Sequence, residues 1–181
     1  MKRTKLDDRV LPEYTRGEEI FNMVTHIVGG VFGIAVLVLC IVFGVLRHNN
    51  YGIASGIIYG ISMILLYTMS SIYHGLSPNT KSKKVFQIMD HCSIFVLIAG
   101  TYTPIVLCSI RPVDSFWAWM IFAVVWGCTV LGIILNAIDI ESNEKFSMIC
   151  YLAMGWCISL NSIYCRKLLD IMEFGYLWLV V

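Results

Sequence analysis

The chain has 181 residues and a net charge of +1; 58% of its residues are hydrophobic, 14% are charged, and the mean hydropathy is +0.77. Soluble domains carry roughly 45–50% apolar and about 25% charged residues, so an ordinary water-soluble fold is excluded and one compact helical unit is the natural expectation. The basic residues lie in the N-terminal segment and short connectors instead of forming a stripe, which argues against nucleic-acid binding.

Residues 1–20 are hydrophilic and charged, with no apolar core followed by a small-residue cleavage site. They read as a cytoplasmic N-terminal segment, and the first hydrophobic helix must itself direct insertion. Crossing a hydrocarbon core takes about 20 apolar residues as a helix, and only helices or closed barrels satisfy their backbone groups there. Five runs reach that length: Phe21 to Leu46, Tyr51 to His74, Val85 to Ile110, Phe116 to Ile138 and Phe146 to Leu168. None alternates with the period of two that a barrel strand requires. The expected fold is an all-α integral membrane protein with five complete crossings, its transmembrane domain occupying residues 21–181. The apolar stretch Phe174 to Val181 begins a sixth crossing and is too short to complete it, so the chain reads as a fragment of a longer protein.

The connectors are short and hold the turn and charge signals: Arg47 to Asn50, Gly75 to Lys84 with Pro78, Arg111 to Ser115, and Asp139 to Lys145. Sequential helices must therefore run antiparallel. In the third helix, Gly100-Thr101-Tyr102-Thr103-Pro104 predicts a kink, because proline removes a donor and clashes with the preceding turn. Gly29, Gly30, Gly33, Gly52, Gly56 and Gly60 permit close helix approach. The seven cysteines, Cys40, Cys92, Cys108, Cys128, Cys150, Cys157 and Cys165, include no C-x-x-C pair and read as small buried apolar residues.

Placing the N-terminus in the cytoplasm puts nine Lys and Arg residues on that side, Lys81, Lys83, Lys84 and Lys145 among them, against four outside: Arg47, Arg111, Arg166 and Lys167. Positive charge is retained in the cytoplasm, so the N-in orientation is favoured. Trp117 and Trp119 then fit an outer aromatic belt.

Ionisable side chains are costly in a bilayer and mark function. Here they share one depth, near the cytoplasmic face: Asn22, Thr25 and His26 open the first helix, Ser70, Ser71, Tyr73 and His74 close the second, and Asp90, His91 and Ser93 open the third. Ser70 and His74 stack on one helix face. At 1.5 Å per residue, Ser70 lies about 6 Å deeper than His74 and Asp90 about 8 Å in from Val85, which permits contact. An imidazole, a carboxylate and a hydroxyl meeting at low dielectric suit Zn²⁺, with His74 as ligand, Asp90 orienting or deprotonating a bound water and Ser70 fixing geometry. Such a site could hydrolyse a lipid amide or ester. It needs three or four ligands, however, and one histidine with one carboxylate leaves it incomplete. Blander readings stand beside this one: Ser70 bonding its own i−4 carbonyl, His26, His74 and His91 as wet interface contacts, and His48 solvated in an outer connector.

At these residues the sequence resembles the bacterial hemolysin III family, the prokaryotic branch of the progestin and adiponectin receptor superfamily. The resemblance is carried by Gly17 to Asn22 with Thr25-His26, by Ser70-Ser71-Ile72-Tyr73-His74, by Asp90 to Phe95 running on to Ala99 through Pro104, and by Tyr151 to Trp156. It implies a seven-helix adiponectin-receptor-like bundle in the cell membrane, N-terminus inside, with an intramembrane zinc near the cytosolic leaflet. His74 would be a metal ligand, Asp90 would act through the zinc-bound water, and Ser70 would support it. The family's further H-x-x-x-H pair on helix seven has no counterpart here, so this chain should bind zinc weakly or not at all.

Three functions compete: a zinc-dependent lipid amidohydrolase acting on membrane lipids, a pore-forming cytolysin, and a receptor-like or membrane-homeostasis protein without chemistry. The hydrolase is motivated by Ser70, His74 and Asp90. The cytolysin lacks an amphipathic, export-competent segment, and the receptor lacks any outer loop long enough to hold a ligand. The sequence leaves the oligomeric state open.

Overall fold

A computed structural model of the chain describes residues 4–78 and 80–156. After a short 3-10 turn at Leu6–Asp8 come α1 (Arg16–Leu46), α2 (Asn50–Gly75), α3 (Lys81–Pro104), a π-helical segment (Ile105–Ile110), α4 (Ser115–Ile138) and α5 (Ile140–Trp156). Among the described residues, four spans are long and apolar enough to cross a membrane: α1, α2, α3 with its π-helical extension, and α4. The expected fifth crossing is described only as far as Trp156, and the start of a sixth lies outside the described residues.

Each helix start is set by a polar side chain that satisfies backbone donors left over in the first turn. The Thr15 hydroxyl accepts from the Glu18 amide, and the Glu18 carboxylate accepts from the Thr15 amide, a reciprocal capping box. Asn49 accepts from the Gly52 amide, Thr80 from the Lys83 amide and Asp114 from the Trp117 amide. These caps explain why α1 begins at Arg16 rather than Phe21 and α3 at Lys81 rather than Val85. Polar residues that cannot lie in hydrocarbon can still extend a helix beyond it. The expected connector from Asp139 to Lys145 is corrected for the same reason. Only Asp139 breaks the chain, and helix resumes at Ile140.

The predicted break at Pro104 takes the form of a change in the hydrogen-bond ladder. The proline sits inside the helix, and the following six residues adopt π spacing, ending with the Arg111 amide donating to the Val106 carbonyl at 2.9 Å.

Between α1 and α2 the contacts follow one antiparallel register. Gly29 meets Tyr67, Gly33 meets Ile64, Leu37 meets Gly60, Cys40 meets Gly56, and Gly44 meets Ile53. Steps of three and four residues keep this seam on one face of each helix, and a glycine on one side at every step brings the backbones close. Four of the six glycines singled out from the sequence belong to the seam. Gly52 instead packs on its own cap, Asn49, and Gly30 leaves ordinary van der Waals space.

The apolar core gathers around α3. Phe95, Ala99, Tyr102, Val106 and Ile110 pack against Ala118, Ile121 and Val125 of α4 and Met154 of α5. The Thr129 hydroxyl donates to the Phe95 carbonyl, and the Trp126 indole to the Thr103 hydroxyl. By contrast, α1 fully buries only Gly33 and Gly44, and most of its large apolar side chains are exposed. Trp117 and Trp119 are likewise exposed near the start of α4. The five described cysteines are free and only half-buried, less enclosed than expected; Cys157 and Cys165 lie outside the described residues.

Candidate functional site

The up-and-down order brings the start of α1, the end of α2 and the start of α3 to one end of the bundle. Glu19 and His26 come from α1, Ser70 and His74 from α2, Lys83, Asp90 and His91 from α3. The expected meeting of Ser70, His74 and Asp90 takes place. The Asp90 carboxyl lies within electrostatic reach of Ser70, His91, His74 and His26.

The serines separate cleanly. Ser71 donates to the Tyr67 carbonyl at 2.6 Å and Ser93 to the Asp90 carbonyl at 2.6 Å, the usual local bonds of hydroxyls in a helix. Thr25 does the same with Phe21 and Asn22. Ser70, only 4% exposed, is the one turned toward the carboxylate of another helix.

The histidines separate as well. Nδ1 of His26 lies 2.6 Å from the Asn22 carbonyl, and Nδ1 of His91 lies 2.9 Å from the Gln87 carbonyl; each bonds one turn back on its own helix. Nδ1 of His74 instead lies 2.6 Å from Oε2 of Glu19 on α1. The His74 ring packs between Tyr73 and Tyr14 and stacks on His26 with ring centroids 5.9 Å apart. His48 stands apart in the α1–α2 turn, exposed and with a φ of 50°.

Two participants were not given a role by sequence reasoning. Glu19 falls within a stretch that carries the family resemblance, but nothing in its spacing tells which helix it faces. The charge count from the sequence places Lys83 among the basic residues on the cytoplasmic side. It sits in the first turn of α3, 2% exposed, with its ammonium 2.7 Å from Oε1 of Glu19 and 3.1 Å from the Leu76 carbonyl. The ammonium also lies over the Tyr73 ring, 5.0 Å from its centroid. A buried lysine so fully paired is a structural element of the site.

Beside His74 opens a cavity of about 440 Å³, bounded by Tyr14, Arg16, Glu19, Met23, His74 and Pro78. Its wall is mostly apolar, with Arg16, Glu19 and His74 as its charged or titratable members.

As a zinc centre the described residues do not suffice. Among them no group of three or more His, Cys, Asp or Glu side chains is gathered to hold a metal ion. His74 has already committed one ring nitrogen to Glu19, leaving Nε2 as its remaining donor.

Apolar helices of membrane-spanning length that share one polar cluster near one end of the bundle define a multi-pass α-helical membrane protein. The chain belongs to the haemolysin-III-related family, whose model matches residues 14–181. It is 37% identical over 146 residues to Hemolysin-3 of Bacillus cereus, covering 78% of this chain and 63% of that protein. It is 36% identical over 143 residues to a Hemolysin-3 homolog of Bacillus subtilis (strain 168), covering 79% of this chain and 65% of that protein. The chain thus spans a little under two thirds of the length of the curated relatives it matches. No solved structure matches it.

Proposed function

We propose that this hemolysin III-like protein is a hydrolase of lipid amides or esters, lodged in the cell membrane with its N-terminus in the cytoplasm and acting through Asp90, Ser70 and His74. The observation that carries this reading is the gathering of Ser70 and His74 beside the Asp90 carboxyl, with the imidazole held by Glu19. A carboxylate so placed in a bundle is costly unless it does work. Asp90 would take a proton from an attacking hydroxyl or water, and Ser70 would orient the carboxylate. The apolar cavity next to His74 would admit an acyl chain from the adjoining leaflet. Zinc enters the proposal as a cofactor held by His74 and Asp90, with its remaining ligands supplied from beyond the described residues; the residues here do not complete its coordination. When bound, such an ion would supply Lewis acidity.

The test is release of fatty acid from a ceramide by the complete protein in liposomes, with zinc content measured in parallel. Asp90→Asn and Ser70→Ala should lower turnover with the fold retained, and His74→Ala should lower bound zinc. A folded protein with full zinc and no lipid hydrolysis would end the hydrolase reading, and stoichiometric zinc in His74→Ala would remove that ligand.

A second reading rests on the relatives' own names: both are called hemolysins. Pore formation predicts dye leakage from liposomes that survives Asp90→Asn, whereas hydrolysis predicts fatty-acid release that does not.

A further inference from the structure

We infer that Glu19 is the positioning residue of the His74 imidazole: it fixes the tautomer that carries the proton on Nδ1 and presents Nε2 as an acceptor, with Lys83 holding the carboxylate in place. The functional meaning of this arrangement rests on the hydrolase reading above, but the geometry stands without it.

Three histidines surround Asp90, and two of them follow the default for a helical imidazole, bonding Nδ1 to the carbonyl one turn earlier. His74 departs from that default. The residue one turn before it is Ser70, and its Nδ1 reaches across to α1, 55 residues away in sequence. Glu19 divides its two oxygens, Oε2 to His74 and Oε1 to Lys83. A carboxylate only accepts hydrogen bonds, so the proton in the 2.6 Å contact belongs to Nδ1. In a neutral imidazole the other nitrogen then carries the lone pair.

Lys83 makes the arrangement rigid. Its ammonium is bound by the Glu19 carboxylate and by the carbonyl of Leu76, the residue that ends α2 immediately after His74 and Gly75. One lysine therefore ties the start of α3 to the carboxylate of α1 and the end of α2. Tyr14 and Tyr73 pack against the His74 ring and restrict its rotation. Carboxylate partners of this kind set ring orientation and raise the basicity of the opposite nitrogen.

The test is imidazole nitrogen NMR on the complete protein in bilayer nanodiscs at alkaline pH, with the His74 signals assigned by their loss in His74→Gln. The wild type should show a protonated Nδ1 and an unprotonated Nε2 at His74. Glu19→Ala alone would strand the Lys83 charge and could prevent folding, so the informative variant is Glu19→Ala with Lys83→Met, which removes both charges together. In that variant the His74 Nδ1–H signal should be lost, while the His26 Nδ1–H signal, bonded to its own helix, should remain. Loss of both signals would mean general loosening and would overturn a specific positioning role. Retention of the His74 signal in the double variant, or a wild-type proton on Nε2, would also overturn it. Failure of lipid hydrolysis or zinc binding would leave these spectra unaffected, so the two proposals fail separately.

Discussion

Placing a methyl group at Gly60 tests the α1–α2 seam that holds Glu19 against His74. A Cβ there would lie 2.6 Å from Cβ of Leu37 and 2.8 Å from its Cα. Carbon atoms pack comfortably at about 3.5–4.0 Å, so the two backbones must separate by roughly 1 Å, because a Cα cannot rotate away as a side-chain tip can. Overpacking of this kind costs about 1–3 kcal/mol, while alanine in place of a helical glycine returns up to about 1 kcal/mol through propensity. Gly30→Ala supplies the control: the same chemistry, on the partner helix, with its nearest neighbour, Cβ of Tyr67, at an ordinary 3.8 Å. Propensity cancels between the two variants, which leaves Gly60→Ala less stable by about 1–3 kcal/mol, or about 5- to 150-fold in the unfolding equilibrium. Reversible unfolding in bilayer-like micelles measures the difference. Equal stability of the two variants would refute the close-packed seam.

Asp139 governs the attachment of the N-terminal arm. The Thr4 backbone amide donates to its carboxylate at 2.9 Å, and the Thr4 hydroxyl and Ser142 amide add to this, holding its pKa below the ordinary carboxylate value. A lowered pKa stabilises the folded arm above the unfolded value of about 3.9, and that contribution is lost as pH falls through the still lower folded value. Protection of the Thr4 amide, its exchange taken relative to the intrinsic rate at each pH, should therefore fall on acidification, and Asp139→Asn should abolish that pH dependence. Arg9 is 4% exposed, and its Nε and Nη1 meet no hydrogen-bond partner among the described residues. Because desolvating an unpaired charge costs several kcal/mol, Arg9→Met should match or exceed the wild type in thermal stability; a marked loss would refute the uncompensated burial. The Tyr102 hydroxyl donates to the Gly155 carbonyl at 2.9 Å, joining α3 to α5. Tyr102→Phe should cost about 0.6 kcal/mol, the average for hydrogen bonds between transmembrane helices, detectable by the same unfolding measurement.

The sequence by itself determined the number of apolar runs through α4, their antiparallel order and the end of the bundle at which the polar residues collect. Length of an apolar run and placement of charge are local properties, and a bilayer allows few alternatives to a helix. The gathering of Ser70, His74 and Asp90 followed from counting rise per residue. Apolar boundaries alone set the spans too narrowly, because the polar caps Thr15, Asn49, Thr80 and Asp114 lie outside them.

Only the tertiary structure decided which side chains turn toward one another. Spacing fixes the face that residues share on one helix but not the rotation of that helix about its axis relative to its neighbours. For that reason Ser70 could not be told from Ser71 or Ser93, nor His74 from His26 or His91, until each partner was seen. Lys83 makes the same point most sharply: a lysine one turn into α3 is solvated or enclosed depending on where α1 and α2 pack, and here their packing closes over it around Glu19.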